Sequence, residues 1–272
     1  MNKLPSADHF LITKEHRRFV EFCDACRRYR YIGLCYGAPG VGKTMSARTY
    51  AHWDRIEPYL RTYPEAHQWP KLRPSQLRTV LYTPTVVNSP KRIRDQIADL
   101  RGYLVSFIFD RVREQKPLSS GTDTLKRLRQ RELILVDEAD RLLVNGLEEI
   151  RDLYDRYDVA VVFLGLPGIE KRLARYPQLY SRVGFVHHFQ PLSREEMHVV
   201  LQHKWQQLGL SLDREGADAE AVAAIIRITG GNFRLLQRLF GQMERVMQIN
   251  HLHLVTKEVV ESARELLVIG AS

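Results

Sequence analysis

The stretch "LCYGAPGVGKTMSARTY", from Leu34 to Tyr50, contains the segment that decides the fold. Residues 37–44 read G-A-P-G-V-G-K-T and match the pattern G-x-x-x-x-G-K-[ST] completely. An apolar run precedes the pattern and a helix-forming run follows it, which is the strand-to-helix context that gives the pattern meaning. Glycines let backbone N–H groups turn inward around phosphate oxygens, and the following helix N-terminus adds partial positive charge. We therefore expect a phosphate-binding loop at this place.

Two side chains of the loop carry the expected nucleotide chemistry. Lys43 would reach the β- and γ-phosphates of ATP, and the hydroxyl of Thr44 would ligate Mg²⁺. The alternative is a glycine-rich turn with a chance lysine, and the complete motif in its strand-to-helix context argues against it. ATP and Mg²⁺ are the expected cofactors. The expected nucleotide-binding residues of the loop are Gly37, Ala38, Pro39, Gly40, Val41, Gly42, Lys43, Thr44 and Met45.

A second segment, "ELILVDEADRL" at residues 132–142, places acids at the end of an apolar run. The apolar residues predict a buried strand whose C-terminal acids project over the phosphate loop. Asp137 would hold Mg²⁺, usually through water, and Glu138 would polarise the attacking water. This acidic pair, following the loop in the chain, favours ATP hydrolysis over ATP binding alone. Asp140 and Arg141 are interpreted as a local salt-bridge pair.

The pattern along the chain changes near Pro191. Before it, strands alternate with helices, which predicts a parallel α/β sheet. From Ser193 on the pattern is purely helical, and Ser193 forms a candidate capping box with Glu196. We expect residues 1–191 to be the nucleotide-binding domain with an N-terminal helix, and residues 192–272 to be a small helical subdomain.

Composition favours an acidic partner. The 272 residues are 44% hydrophobic and 27% charged, which is typical of a soluble globular protein, and the formal net charge is +9. That excess favours nucleic acid or a membrane surface. No apolar run could span a bilayer and the N-terminus lacks a signal-peptide core, so we expect a cytoplasmic protein with no membrane partner. Three cysteines fit reduced thiols in a packing role, namely Cys23, Cys26 and Cys35.

Two arginines occupy informative positions. Arg182 stands just before the strand "GFVHHF", and Arg234 lies in "GGNFR". In the latter, Gly230 and Gly231 end one helix and Asn232 begins the next. An isolated arginine is more often part of a surface ion pair. Phosphoryl transfer, however, needs cationic groups near the γ-phosphate, and one of them can come from a neighbouring subunit.

The order of these features resembles an AAA+ ATPase: the phosphate loop, the Asp-Glu acids, "SRVG" before the last strand and a helical lid with "GGNFR". The resemblance covers nearly the whole chain. It implies an α/β fold of three layers around a parallel sheet, with a small C-terminal helical lid. It also implies that Arg182 is an arginine finger, that Arg234 is a nucleotide-binding sensor-2 residue, and that subunits assemble so that each site is completed by its neighbour. The catalytic residues expected on this basis are Lys43, Glu138, Arg182 and Arg234.

Within that group the chain looks most like the TnsC/TniB/MuB transposition regulators, through "LILVDEADRL", "VAVVFLGLPGIEKRL", "RVGFVHHFQPLS" and a minimal lid. This resemblance implies ATP-dependent filaments or rings on double-stranded DNA that mark a target and deliver it to a transposase. Some such proteins serve CRISPR-associated transposons, where they link a TniQ-type adaptor to the transposase. The expected partners are double-stranded DNA bound without sequence preference, further copies of this chain, a transposase and a TniQ-type adaptor.

The same resemblance places the DNA-facing elements in "SPKRIR" and "SSGTDTLKRLR". Lys91 and Arg92 lie in the first turn of a helix that Ser89 caps, where side chains and helix N-terminus can bind phosphate together. The alternative is that these cations form a solvated helix face. A second row of expected contacts consists of Thr122, Lys126 and Arg127.

The chain departs from the family pattern in one place. AAA+ proteins often carry a polar residue, called sensor 1, at the end of the fourth strand. Here Gly165 occupies about that place. The usual sensing of the γ-phosphate would then be altered, so we expect slow ATP hydrolysis that assembly on DNA stimulates.

Two other functions stay open. One is a replication initiator or helicase loader. An appended winged-helix domain would favour that function, but the chain ends soon after the lid. The other is an ATP-dependent protein-interaction switch, which further domains or a membrane anchor would favour. Neither feature is visible in this sequence, although a separate chain can supply them.

Overall fold

The computed structural model describes residues 11–60, 72–115, 132–157, 159–207 and 218–267, with side chains excepted over residues 110–115. It divides into two compact units. The sheet unit contains His16–Gly37 and Lys43–Phe189, and the helical unit contains Leu11–Glu15, Ala38–Gly42 and the chain from Gln190 on. The expectation that residues 1–191 bind nucleotide and residues 192–272 form a lid stays a prediction.

A parallel five-stranded sheet forms the centre of the sheet unit and confirms the predicted α/β class. The strand order is β2-β3-β4-β1-β5, so each new strand is placed by a crossover rather than by a hairpin. The bounds are β1 Ile32–Tyr36, β2 Thr79–Tyr82, β3 Leu133–Val136, β4 Ala160–Gly165 and β5 Val183–His188.

Burial along the strands follows from this order. Every residue of β2, β3 and β4 is buried, which requires cover on both faces of the sheet and explains their continuous apolar runs. β5 instead alternates between half-buried and exposed residues. Because all the strands are parallel, their C-terminal ends share one edge, and Gly37, Asp137 and Gly165 all lie at that edge.

The helices of the sheet unit connect these strands. The N-terminal helix packs against β1, since a Cβ on Gly33 would lie 2.5 Å from the sulfur of Cys26. All three cysteines are buried and free, which agrees with a packing role, and burial raises the pKa of the Cys26 thiol to about 12. The bounds are α1 Lys14–Tyr29, α2 Lys43–Tyr50, α3 Trp53–Ile56, α4 Pro90–Gln115, α5 Val144–Tyr157, α6 Ile169–Leu173 and α7 Pro177–Tyr180. Short 3₁₀ turns lie at Glu57–Tyr59, Pro74–Leu77 and Ala139–Arg141.

The helical unit has its own apolar core, in which the rings of Trp205 and Phe240 meet edge to face at 5.6 Å between centroids. The expected capping box is confirmed, because Ser193 Oγ accepts the Glu196 N–H and Glu196 Oε2 accepts the Ser193 N–H. None of the helices that the structure describes is long and apolar enough to cross a membrane. The bounds are α8 Arg194–Gln207, α9 Ala219–Thr229, α10 Phe233–Ile249 and α11 Lys257–Glu265.

Candidate functional site

The ends of the phosphate loop lie in the sheet unit, between β1 and α2. The Gly37 N–H donates to the carbonyl of Gly165 at 3.4 Å, and a Cβ on Gly37 would collide with the backbone oxygen of Phe189. Position 37 therefore admits no side chain. The Lys43 amine donates to the carbonyl of Gly37 at 2.6 Å. That amine is thus folded over the start of the loop, where it would meet the phosphates of a nucleotide.

The middle of the loop, Ala38–Gly42, belongs to the helical unit. Gly40 and Gly42 adopt φ of 83° and 113°, which a residue with a Cβ rarely tolerates. A Cβ on Gly40 would also lie 2.5 Å from Asn232 Oδ1. The positive φ and the close approach explain why glycines stand at these two positions, whose backbone N–H groups are expected to contribute to the phosphate cradle.

Asn232 and Arg234 anchor the same loop by donating to its backbone carbonyls. Asn232 Nδ2 donates to the carbonyl of Pro39 at 2.8 Å, and the Arg234 N–H donates to the carbonyl of Gly40 at 3.1 Å. As expected, Asn232 is also the N-cap of α10, where its side chain accepts the Leu235 N–H. The sequence motif "GGNFR" is thereby tied to the phosphate loop by the Asn232 side chain and the Arg234 main chain. The sensor-2 role of the Arg234 guanidinium stays a prediction.

Asp137 and Thr44 provide oxygen atoms suited to Mg²⁺. Asp137 directly follows β3, is 5% exposed and forms a side-chain hydrogen bond with Thr44. Burial raises the pKa of the Asp137 carboxyl, and the hydrogen bond with Thr44 opposes that rise. A buried carboxylate beside a hydroxyl is the hard-oxygen donor set that Mg²⁺ prefers. These residues therefore fit the metal that the motif implies.

Glu138 is held in a strained and paired conformation. Its φ of 50° and ψ of 42° lie in the left-handed region, which costs a non-glycine residue about 1–3 kcal/mol. Its carboxylate forms an ion pair with Arg141, three residues later, while Arg141 Nη1 donates to the carbonyl of Pro84 at 3.1 Å. The interpretation of Asp140 and Arg141 as a salt-bridge pair is therefore wrong. Their side chains diverge, and Glu138 is the partner of Arg141.

Asp140 instead contacts the end of β4 beside Gly165, the residue expected near the sensor-1 position. Its Oδ2 accepts the Leu166 N–H at 2.8 Å, just beyond the end of β4. A Cβ on Gly165 would lie 2.9 Å from that oxygen and 2.5 Å from Ile169 Cδ1. Arg172 adds a link by donating to the backbone carbonyls of Asp140 and Leu142. Gly165 is thus required by packing, because the Asp140 carboxylate and the Ile169 side chain fill the space where its own side chain would lie.

Arg182 lies at the opposite edge of the sheet from the phosphate loop. Its carbonyl accepts the N–H of Ile32, the first residue of β1, whereas the loop begins after the last residue of that strand. The guanidinium forms a two-pronged ion pair with Asp155 on α5, with Nε–Oδ1 at 2.7 Å and Nη2–Oδ2 at 2.9 Å. The structure therefore does not bring Arg182 together with Lys43, Thr44 or the acidic pair of its own chain.

Lys91 and Arg92 are both exposed in the first turn of α4. Ser89 caps this helix as expected, since its Oγ accepts the Arg92 N–H at 3.3 Å. Asn88, in the preceding loop, donates to the backbone carbonyl of Arg141 at 3.3 Å. The other expected DNA contacts, Thr122, Lys126 and Arg127, lie outside the described residues.

Three contributors to these surroundings were not predicted from the sequence. Arg141 had a local signal, because a spacing of three residues brings it within reach of Glu138. The signal for Asp140 was weaker. The fourth strand ends in a glycine where AAA+ proteins often have a polar residue, and Asp140 is a polar residue in a neighbouring segment that could compensate. Asp155 had none, since it is 27 residues away from Arg182 and only the fold joins them.

Comparisons with known proteins agree with this geometry. The protein family described as "AAA domain" matches residues 26–173, which is more than half of the chain. A Staphylococcus aureus protein named "Potential ATP-binding protein" is 44% identical over 269 residues, spanning 96% of this chain and 97% of the relative.

A more distant relative is named "Mu-like prophage FluMu DNA transposition protein B", from Haemophilus influenzae (strain ATCC 51907 / DSM 11121 / KW20 / Rd). It is 25% identical over 247 residues, spanning 86% of this chain and 72% of the relative. Among solved structures, the Thermotoga maritima RuvB Holliday junction branch migration motor is similar in fold, with a TM-score of 0.57 and 16% identity. That match covers 97% of this chain and 72% of the motor. The chain therefore belongs to the AAA-domain family and is a P-loop ATPase.

Proposed function

We propose that this chain is an ATP-dependent DNA-binding ATPase that oligomerises on double-stranded DNA and regulates target selection in DNA transposition. In this role the assembled protein marks a segment of DNA and recruits a transposase to it, with a TniQ-type adaptor as a further partner. ATP holds the assembly on DNA, and hydrolysis releases it.

The similarity to a DNA transposition protein B carries this proposal. It extends over most of both chains, and so includes the lid as well as the nucleotide-binding region. The net charge of +9 supports a polyanionic partner.

The start of α4 is the proposed DNA surface. Lys91 and Arg92 are exposed there, and neither is engaged by an acidic side chain in any ion pair that the described residues show. The capped helix N-terminus adds partial positive charge at the same point. Lysine, arginine and helix N-termini contact phosphates without selecting a base sequence, so the expected binding is independent of sequence.

A short chain of contacts links this surface to the proposed catalytic acid. Asn88, one residue before the capping serine, donates to the backbone of Arg141, and Arg141 pairs with Glu138. Arg141 also donates to Pro84 at the start of the same loop. A shift of the Pro84–Ser89 loop on binding DNA would therefore change the position of Arg141. This path gives DNA a physical means of altering ATP hydrolysis.

Hydrolysis is assigned to residues of the sheet unit. Lys43 would hold the terminal phosphates, Thr44 and Asp137 would hold Mg²⁺, and Glu138 would accept a hydrogen bond from the attacking water. Bound Mg²⁺ would neutralise charge on the phosphate oxygens. Glu138 can do its part once its carboxylate leaves Arg141, because a carboxylate oxygen that holds a guanidinium is not available to the attacking water.

Mass photometry tests the assembly directly. The chain is mixed with a 60-base-pair duplex in the presence of a non-hydrolysable ATP analogue, ADP or no nucleotide. We expect particles of many subunits with DNA and the analogue, and much smaller particles in the other mixtures. Particles of equal size in all three mixtures would refute ATP-dependent assembly. Recruitment is tested separately, by adding to the assembled particles a purified transposase from a transposon that encodes a similar ATPase.

A further inference from the structure

We propose that Asp155 is the positioning residue of the arginine finger: it holds the Arg182 guanidinium in the orientation in which a neighbouring subunit's nucleotide meets it. This inference rests on the proposed function, in which subunits assemble, and on the expectation that Arg182 is then an arginine finger that acts across a subunit boundary. It assigns a role to a residue that lies outside every nucleotide-binding motif of the sequence.

The geometry of the pair supports orientation. The Asp155 carboxylate accepts two hydrogen bonds from one side of the Arg182 guanidinium. Nε donates to Oδ1 at 2.7 Å and Nη2 donates to Oδ2 at 2.9 Å. Nη1 donates to the backbone carbonyl of Gln178. These contacts use three of the five N–H donors of an arginine and fix its plane, which leaves donors for an anion.

The surroundings of Asp155 keep it negatively charged and in place. Arg151, one helical turn earlier on α5, donates to Asp155 Oδ2 at 2.6 Å and to Glu148 at 2.7 Å. Hydrogen bonding from Arg182 is the main reason that the pKa of the Asp155 carboxyl lies below its usual value. Asp155 therefore contacts two guanidinium groups at once, and Arg151 is shared between Asp155 and Glu148.

An open space adjoins this pair. A cavity of about 270 Å³ is lined by Asp155, two further arginines and two other side chains. It leaves open room beside Asp155, and one of its two arginines, Arg156, pairs with Asp152. The lining residues are Arg30, Tyr154, Asp155, Arg156 and Val159.

Stability alone does not account for such a pair. Both side chains are 31% exposed, so water screens the pair and its contribution to folding is modest even with two-pronged geometry. A two-pronged contact is instead well suited to fixing a direction, because small errors in the placement of a reacting group reduce rates strongly.

The first test uses the isolated subunit without nucleotide, so that its outcome does not depend on ATP hydrolysis. The arginine Nε–H signal of Arg182 is assigned by its loss in Arg182→Lys, and its exchange with solvent is measured by nuclear magnetic resonance. Asp155→Asn should speed this exchange on the order of tenfold, because a charge-assisted hydrogen bond is weakened. Asp152→Asn is the matched control, since Asp152 lies on the same helix and pairs with Arg156. It should leave the signal unchanged.

The second test places the substitution in one kind of subunit at a time. Lys43→Ala subunits offer a finger without a working loop, and Arg182→Ala subunits offer a loop without a finger. Their mixture should hydrolyse ATP where the two kinds meet. Adding Asp155→Asn to the Lys43→Ala subunit should reduce that activity about tenfold to a hundredfold. Adding it to the Arg182→Ala subunit should leave the activity unchanged, because that subunit has no finger to position.

The outcomes separate this inference from the proposed function. If Asp155→Asn acts equally in both placements, or in neither, Asp155 does not position the finger. If Arg182 exchange is unchanged in Asp155→Asn, the ion pair does not orient it. If the parent mixture is inactive although both subunits co-assemble, the finger does not act in trans, and the inference falls with that part of the proposed function.

Discussion

The backbone carbonyl of Arg182 accepts the N–H of Ile32 at 3.1 Å, which places the proposed arginine finger level with the first residue of β1. The phosphate loop begins at Gly37, five residues further along the same strand. At about 3.3 Å per residue the separation along the strand is roughly 17 Å, more than an arginine side chain can reach. If Arg182 contacts a γ-phosphate, that nucleotide belongs to another subunit.

ATP hydrolysis should therefore depend on protein concentration. We expect the rate per subunit to rise steeply as the chain is concentrated and to level off once subunits assemble, because each assembled site gains an arginine. The measurement is steady-state phosphate release at saturating ATP over a wide range of protein concentrations. A rate per subunit that stays constant throughout this range, in a protein that sediments as a monomer, would show that no finger is supplied in trans.

Glu138→Gln should bind ATP and hydrolyse it on the order of a hundredfold more slowly, since removing one catalytic group commonly costs that much. The replacement keeps the size of the side chain and loses its basicity. Lys43→Ala is the contrast, because loss of the amine near Gly37 should weaken nucleotide binding itself. Nucleotide titration by fluorescence and single-turnover hydrolysis distinguish the two. Wild-type turnover by Glu138→Gln would remove Glu138 from the mechanism.

The parts of the molecule that could be predicted from the sequence are those encoded by neighbouring residues. The strand-loop-helix around Gly37, the acids after β3 and the Ser89 cap all depend on local patterns, and the structure places each of them as expected. The parts that were missed depend on interactions between distant segments. The Asp140 side chain reaches Leu166 across 26 residues, and Asp155 reaches Arg182 across 27. No periodicity records such pairs, because the crossovers of the sheet bring them together.

Arg141→Ala should raise ATP hydrolysis in the absence of DNA and reduce the further stimulation by DNA. The reason is that Arg141 pairs with Glu138 and with the loop that precedes the proposed DNA surface. Hydrolysis is measured at a protein concentration that supports assembly, with and without duplex DNA. Arg27→Ala is a matched control, since Arg27 also pairs with an acid three residues away, Asp24. If DNA stimulates Arg141→Ala as strongly as the wild type, Arg141 is not on the coupling path.

Gly165→Ala should destabilise the sheet unit by about 1–3 kcal/mol, which is the usual cost of overpacking. Its Cβ would press on Ile169 and on the Asp140 carboxylate that binds the Leu166 N–H. Gly102→Ala is the control, because Gly102 lies in α4 with no atom within 4 Å of a new Cβ. Gly102→Ala should raise the free energy of unfolding by about 0.5–1 kcal/mol, because alanine is more favourable than glycine in a helix by that amount. Urea unfolding measures both, and equal effects would refute the packing explanation of Gly165.

DNA binding by Lys91 and Arg92 is the central claim, and it depends on summing weak interactions over many subunits. Each subunit would bind a few phosphates, and an ATP-ordered assembly would add these interactions along one duplex. The affinity should therefore require ATP, differ little between DNA sequences and fall steeply with salt, because bound counterions are released. Lys91→Ala/Arg92→Ala should lower affinity equally for all sequences and reduce the salt slope by about 1 for each phosphate that is no longer neutralised, while ATP binding is retained. Arg17→Ala/Arg28→Ala removes the same charge from exposed positions on α1 and is the control.

The most direct measurement is fluorescence anisotropy of two unrelated duplexes across a salt series, with and without a non-hydrolysable ATP analogue. We predict tight binding of both duplexes with the analogue, weak binding without it, and loss of binding in the Lys91→Ala/Arg92→Ala variant but not in the control. Equal affinity with and without the analogue would contradict ATP-dependent DNA binding, and unchanged affinity of the variant would contradict the assignment of the DNA surface to α4.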